Sequence, residues 1–422
     1  MKRFWLITLA ILAAGIAAHA QGSASAVQAK AAALDAPGGL LESSNWGFKA
    51  FKLADTQKSL VSLNAKKRLV PASNMKLVST GAALLAFGPE YRFETRFAHS
   101  GEIKDSVLCG DLYIIGGGDP LIGELFPYLP GREFSAWQKV LDDAGIRRIE
   151  GDIVGDGSYF KGEPRHGDWS MEDHRTKDGV VPRGLTWRGR MEDSVPDGPY
   201  AAALYFAEWL GGANGHIQVC GNAMSGSLPD SLLHQIGTVR SAPLREIASV
   251  ANHWSDNFCA ETLVKALGLK YKGSDEYGAA TTALHDALAP LGLKDRSYGM
   301  RFADGSGLSR KNYISPEFMA DFLAAMAGSR VWKDYLASLP RPGMKDGTLT
   351  ARLKDCPDKS RIFMKSGSMN GVRCYSGYIL SGNGRKEDTI VFSLMVNNYV
   401  GNNSRLNTSL DALIAALAEI NR

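Results

Sequence analysis

Apolar and polar positions along the chain follow two periods, and each change of period marks a change of element. Residues 72–87 carry Met75, Leu77, Val78, Ala82, Leu84 and Leu85 on almost every face, with Pro71 before them and Gly88-Pro89 after. An apolar run closed at both ends by helix breakers predicts a buried helix. From Tyr91 the period drops to two, with Tyr91, Phe93, Thr95 and Phe97 on one side and Arg92, Glu94 and Arg96 on the other. That alternation predicts a half-buried strand. A β-rich tract continues through 111–115 and 149–154, punctuated by Gly116-Gly117-Gly118-Asp119-Pro120. The glycine run lacks the Lys-Ser/Thr of a phosphate loop and reads as a turn.

Residues 161–197 are polar and irregular around Trp169 and Trp187 and read as surface loops, before a helical pattern returns at 200–210. Residues 244–267 read as two helices about a break at 253–256. The stretches 374–380 and 389–396, joined by Ser381-Gly382-Asn383-Gly384, read as a hairpin of buried strands. Leu410, Leu413, Ile414, Leu417 and Ile420 give the last helix its core stripe. Residues 21–37, rich in Ala, Ser and Gly, read as a flexible lead or a first helix of modest order. Helix, strands, helices, an antiparallel pair and a final helix make an α+β chain. Its 422 residues exceed one typical domain of roughly 100–200 and imply two.

The first twenty residues change the picture from a cytoplasmic protein to an exported one. Lys2 and Arg3 precede an apolar run from Phe4 to Ala18, and Ala18-His19-Ala20 forms a small-x-small cleavage site. The run is shorter than the roughly 20 residues that span a bilayer, so cleavage after Ala20 is expected rather than anchoring. No cysteine precedes Cys109 to take a lipid, which leaves at most peripheral membrane association. The net charge of +4 becomes +2 once Lys2 and Arg3 leave, and the charges of both signs are interspersed, so nothing calls for nucleic acid. Cys109, Cys220, Cys259, Cys356 and Cys374 are widely spaced and odd in number; they suggest no zinc site and leave room for one or two disulfides after export.

Three short groups carry chemistry. Ser73-Asn74-Met75-Lys76 opens the buried helix, and residues three apart share a helix face, so the Lys76 amine can reach the Ser73 hydroxyl. A serine needs a base to become a nucleophile, and a lysine serves if burial and nearby cations bring its pKa to roughly 7–8. Alone, such a pair occurs often by chance and reads better as an N-cap serine with a solvated lysine. Ser255-Asp256-Asn257 fills the break between two helices, where Ser255 can pass a proton to a leaving amine and Asn257 can bond a substrate amide; the plain alternative is again an N-cap. Lys365-Ser366-Gly367-Ser368 begins the terminal strands. Lys365 and Ser366 can hold a carboxylate, Gly367 permits close backbone approach, and the Ser368 N–H can join that of Ser73 in an oxyanion hole. In isolation this is an ordinary polar strand start.

Ser-x-x-Lys, Ser-x-Asn and Lys-Ser-Gly in this order, on a helix, a loop and a strand, form a penicillin-recognising signature. The sequence resembles the D-alanyl-D-alanine carboxypeptidases and endopeptidases of the penicillin-binding protein 4 type. The likeness extends through residues 110–120, Gly155-Asp156-Gly157-Ser158-Tyr159-Phe160 and Asp304-Gly305-Ser306-Gly307-Leu308-Ser309-Arg310, and covers most of the mature chain. It implies a penicillin-binding/β-lactamase-like transpeptidase domain, an antiparallel sheet with flanking helices, built from 21–97 and 241–422. A β-rich accessory domain at 98–240 is then inserted, reduced because 161–195 is too short and charged for the family's third domain. The resemblance also places Asp156 near the site, although Asp156 reads equally as a turn residue. Asp304–Arg310 looks like a family loop near the site, and its composition also fits a plain glycine-rich turn.

The function implied is a serine-type D-Ala-D-Ala carboxypeptidase or endopeptidase acting on peptidoglycan stem peptides outside the cytoplasmic membrane, in the periplasm or at the wall. It needs no cofactor or metal and is acylated at Ser73 by β-lactams. A β-lactamase-like hydrolase and a non-catalytic wall-binding protein of the same fold are the alternatives. A Ser-His-Asp hydrolase is disfavoured because G-x-S-x-G is absent and no histidine falls in a recognisable constellation.

Overall fold

The computed structural model describes residues 24–123, 132–175, 179–188, 197–213, 215–293 and 299–420. The expected export signal at 1–20 lies outside the described residues. The chain folds as two compact units. The first comprises the chain up to Leu85, Ser249–Asp256 and the chain from His285 on; the second comprises Ala86–Ala248 and Asn257–Leu284.

The first unit is built on a five-stranded antiparallel sheet, ordered Ile362–Met369, Val372–Ile379, Ile390–Asn397, Asn45–Lys52, Asp55–Leu63. The terminal hairpin is therefore part of a larger meander, closed by two early strands whose polar ends hid them in the sequence. Trp46, Phe48, Phe392 and Leu394 face one helical layer, formed by residues 24–35 through Val27 and Ala31 and by Asn403–Ile420 through Leu406, Leu410 and Leu413. Within the lead, residues 24–35 thus form an ordered helix. Its i, i+4 pair Val27 and Ala31 is buried, and Asp35 just inside its end accepts a 2.6 Å hydrogen bond from the Trp46 indole. On the opposite face Tyr378, of opposite parity to Tyr375 and Ile379, donates to the Leu323 carbonyl of helix Pro316–Gly328 at 2.7 Å. Gly81 of the helix Met75–Phe87 lets this layer close, because a Cβ there would sit 2.9 Å from the Phe322 ring. Burial from Met75 to Leu84 on every face matches the all-round apolar pattern read from the sequence.

The second unit holds a mixed sheet ordered Ala223–Ser225, Ile153–Asp156, Leu112–Ile115, Glu94–His99, His234–Arg240. The first three strands run parallel and the last two pair antiparallel. Strand Glu94–His99, which begins before the expected insertion point at 98, lies in this unit between Leu112–Ile115 and His234–Arg240. Helices Arg132–Asp143 and Gly198–Gly211 cover one face, packing Trp137, Leu141 and Phe206 over Phe97, Ile114 and Ile153. Helices thus cover a β-rich unit. The described part of 161–197 is irregular, but its tryptophans point inward: Trp169 is buried, and Trp187 stacks on Phe134 at 4.6 Å. Gly116 and Gly117 continue from strand Leu112–Ile115 against neighbouring backbone rather than forming a turn: a Cβ on either would meet the Gly184 or Glu94 carbonyl oxygen at 2.4 or 2.3 Å, and the first turn residue is Pro120. All five cysteines are free thiols. Among the described residues no helix is long and apolar enough to cross a membrane.

A buried ion pair fastens the second unit internally. Lys265, fully buried, bonds Asp275 Oδ2 at 3.2 Å and the carbonyls of Asp275 and Glu163 at 3.0 and 2.9 Å. Asp275 in turn accepts the backbone N–H groups of Lys161 and Gly162. Asp275→Ala leaves a buried ammonium without its counter-charge and is expected to cost about 3–5 kcal/mol. Urea denaturation should show that loss, with most of it recovered when Lys265→Met is added to Asp275→Ala.

Candidate active site

Ser73 sits in a short 3-10 turn, Ala72–Asn74, that runs directly into the helix Met75–Phe87. Ala72 adopts a φ of 46°, a left-handed conformation that costs a non-glycine residue about 1–2 kcal/mol. Neighbouring bonds hold that strain in place. The Asn74 N–H donates to the Pro71 carbonyl at 3.1 Å, and its side chain donates to Ser376 Oγ at 2.7 Å in the middle of the sheet. Ser376 and Ser393 share a further hydrogen bond at 2.9 Å, so the turn is bolted across two strands.

Lys76 lies just beyond Ser73 with no solvent exposure. Its Nζ stands 3.1 Å from Ser73 Oγ and donates to the Ser306 carbonyl at 2.8 Å. Lys365, on strand Ile362–Met369, is equally buried; its Nζ donates to Ser255 Oγ at 2.9 Å and to the Ser366 carbonyl at 2.8 Å. Two Ser–Lys pairs thus stand in one unit. Burial first, and the charge of Lys76 second, hold the Lys365 amine well below the usual lysine range. Ser255 occupies the left-handed region with φ 59° in the break after helix Leu244–His253.

The terminal strand meets the nucleophile turn through Gly367. A Cβ there would lie 2.6 Å from the Pro71 carbonyl and 3.1 Å from the Asn74 nitrogen, so only glycine lets the two backbones approach this closely. Ser366 donates to the Thr348 hydroxyl at 3.0 Å, and the exposed Ser368 hydroxyl accepts from Arg373.

The first unit therefore brings together Ser73, Lys76, Ser255, Lys365, Ser366, Gly367 and Ser368. Asn257 is the first residue of helix Asn257–Lys272 and belongs to the second unit. Asp156 ends strand Ile153–Asp156, also in the second unit; it is buried and accepts the Ser158 N–H at 2.8 Å in a local turn. Three neighbours of these residues were given no role by the motif reading: the Asn74 side chain bonds the sheet, the Thr348 hydroxyl accepts from Ser366, and the Ser306 carbonyl accepts from Lys76. The sequence signal for the last was the Asp304-Gly305-Ser306-Gly307 run, whose composition by itself says only turn.

The sequence model of the D-Ala-D-Ala carboxypeptidase 3 (S13) family matches residues 27–193 and 194–419. The chain is similar to a D-alanyl-D-alanine carboxypeptidase of Actinomadura sp. (strain R39), with 28% identity over 82% of this chain and 76% of that protein. It is also similar to the D-alanyl-D-alanine carboxypeptidase DacB of Haemophilus influenzae, with 24% identity over 85% and 87% of the two chains. Its fold matches the crystal structure of penicillin-binding protein 4 from Haemophilus influenzae with a TM-score of 0.76 and 21% identity, covering 94% of this chain and 99% of that one. A predatory peptidoglycan endopeptidase of Bdellovibrio bacteriovorus matches with a TM-score of 0.62 and 19% identity over 90% and 93%. The α+β architecture is accordingly the penicillin-binding type.

The Gly367 contact yields a prediction. Gly367→Ala should displace the Pro71–Asn74 backbone and lower the rate of penicillin acylation by about 100-fold, an effect of misplacing reacting groups by about 1 Å. Stopped-flow or mass-based acylation kinetics, with circular dichroism to establish that the variant is folded, measure this directly.

Proposed function

The chain belongs to the D-Ala-D-Ala carboxypeptidase 3 (S13) family, and we propose that Ser73 carries its acyl-transfer chemistry with Lys76 as the base. The observation that carries this reading is the 3.1 Å contact between Lys76 Nζ and Ser73 Oγ in a site where Lys76 is fully buried. As Ser73 Oγ attacks the carbonyl between two D-alanines, its proton passes to Lys76. The oxyanion is received by the backbone N–H groups of Ser73 and Ser368. Collapse breaks the C–N bond, and Ser255 relays the proton from Lys76 to the departing D-alanine amine, giving its own and taking that of Lys76 in exchange. Water then cleaves the Ser73 ester and frees the peptide. A cross-linked peptide entering by the same route makes the reaction an endopeptidation, and a β-lactam leaves a slowly hydrolysed ester on Ser73.

Lys365 and Ser366 bind the terminal carboxylate in this scheme, Gly367 keeps the strand close to the nucleophile turn, and Asn257 bonds the substrate amide. Asp156 takes part by its local motif. The first unit is the catalytic domain and the second the accessory one, smaller than is usual in the family. Action on peptidoglycan stem peptides and the expected export signal at 1–20 support a location outside the cytoplasmic membrane, in the periplasm or at the wall. No cofactor enters the scheme.

Release of D-alanine from a D-Ala-D-Ala pentapeptide tests the reading. The unaltered chain is expected to release one D-alanine per peptide, and Ser73→Ala to fall by roughly 10⁶-fold; turnover by Ser73→Ala near that of the unaltered chain contradicts it. A pH dependence also follows. Lys365 attracts a carboxylate only while protonated, and its amine is held below the usual lysine range. As pH rises through that lowered value the charge is lost, so KM for the carboxylate-ended peptide should rise at a pH well short of ordinary lysine titration, and Lys365→Arg should move the rise upward.

A further inference from the structure

A lysine acting as a base is a neutral amine with two N–H bonds and one lone pair on a freely rotating carbon. Unless an N–H is anchored, the lone pair has no fixed direction. In this chain an anchor comes from a turn that the scheme above does not use.

Asp304 and Asn312, both without solvent exposure, tie the segment between them into a closed loop. Asp304 Oδ1 accepts the Gly307 N–H and the Asn312 side-chain amide, each at 2.8 Å, and its Oδ2 accepts the Ser309 N–H at 2.5 Å. Asn312 completes the closure, accepting the Ala303 N–H at 2.8 Å and donating to the Ser309 carbonyl at 2.9 Å. Within that loop two successive carbonyls point at one face of the nucleophile helix. The Gly305 carbonyl accepts from Ser79 Oγ at 2.5 Å and the Ser306 carbonyl from Lys76 Nζ at 2.8 Å. The loop also abuts the residue before the nucleophile: Gly307 has φ 86°, and a Cβ on it would overlap the Ala72 carbonyl at 1.9 Å.

We propose that Asp304 is a positioning residue for the reaction: through the turn it closes, the Ser306 carbonyl takes one N–H of Lys76 and so directs the amine lone pair at Ser73 Oγ. This rests on the assignment of Lys76 as base. The carbonyl serves both protonation states. It accepts from the neutral amine before proton transfer and from the ammonium afterward, so the bond persists while the Ser73 proton moves to Lys76. Ser79 supports the same function one helical turn on, by holding the Gly305 carbonyl and with it the plane of the next peptide.

The test separates acylation from binding, using a slowly deacylated penicillin and the whole chain. The acylation rate constant and the dissociation constant of the preceding non-covalent complex are measured across pH for Asp304→Asn, Ser79→Ala and Lys76→Met. Asp304→Asn is expected to lower the acylation rate constant by about 100-fold with the dissociation constant within about twofold, and to shift the acid limb of the pH profile, because the carbonyl no longer holds the base. Ser79→Ala, which removes only one hydroxyl, is expected to lower it by about 5-fold with a shift of the same sign. An unchanged rate constant and profile in Ser79→Ala together with folded Asp304→Asn overturns the proposal. So does a loss that appears in the dissociation constant, or one with an unmoved profile, since either marks a merely structural turn. Should Asp304→Asn fail to fold, Ser79→Ala decides alone. Lys76→Met tells the two failures apart: if it still acylates, the base assignment is wrong, whereas if it is inactive and the other variants are unaffected, only the positioning role is lost.

Discussion

Complete burial of the Lys76 amine is the constraint on which the catalytic unit is organised. Taking an amine out of water is costly, and it is tolerated only where hydrogen-bonding partners meet it. Here those partners include Ser73 Oγ and the Ser306 carbonyl. One is the nucleophile, and the other belongs to a turn more than two hundred residues away in sequence. Satisfying the lysine therefore draws the start of the helix and the Asp304–Ser309 turn to one point. The second buried lysine compounds the problem. Lys365 meets it through Ser255 and a backbone carbonyl, and burial together with the charge of Lys76 favours its neutral form.

The supporting structure is shaped by that demand. The strained φ of Ala72, the Asn74–Ser376–Ser393 chain of hydrogen bonds and the glycine at 367 all serve to hold the nucleophile turn against the central sheet. None of these groups stabilises the fold in the way a packed leucine does. They store local strain and polar bonds that surrounding helices, buried on every face, keep from relaxing.

Much of this was legible in the sequence because it was written in side chains. The all-round apolar run at 72–87, the alternation from Tyr91 and the stripe from Leu410 to Ile420 each gave their element directly, since burial pattern and period are the same fact. Other parts were hidden for identifiable reasons. Helix Arg132–Asp143 lies between two β tracts and went unread, although Phe134, Trp137 and Leu141 are buried at helical spacing. Residues 24–35 looked flexible because alanine and serine supply little periodic contrast, yet two small positions suffice to dock the helix. Ser73, Lys76, Ser255 and Lys365 were nameable by motif, whereas a backbone carbonyl such as that of Ser306 has no residue signature and is found only when the turn is folded.

Intact-mass spectrometry of the chain with penicillin, followed by peptide mapping of the adduct, tests the central claim most directly when run beside Lys76→Met. The account predicts one penicilloyl group per chain on the peptide containing Ser73, and none within the same time for Lys76→Met. An adduct on another residue, or equal labelling without Lys76, would contradict it.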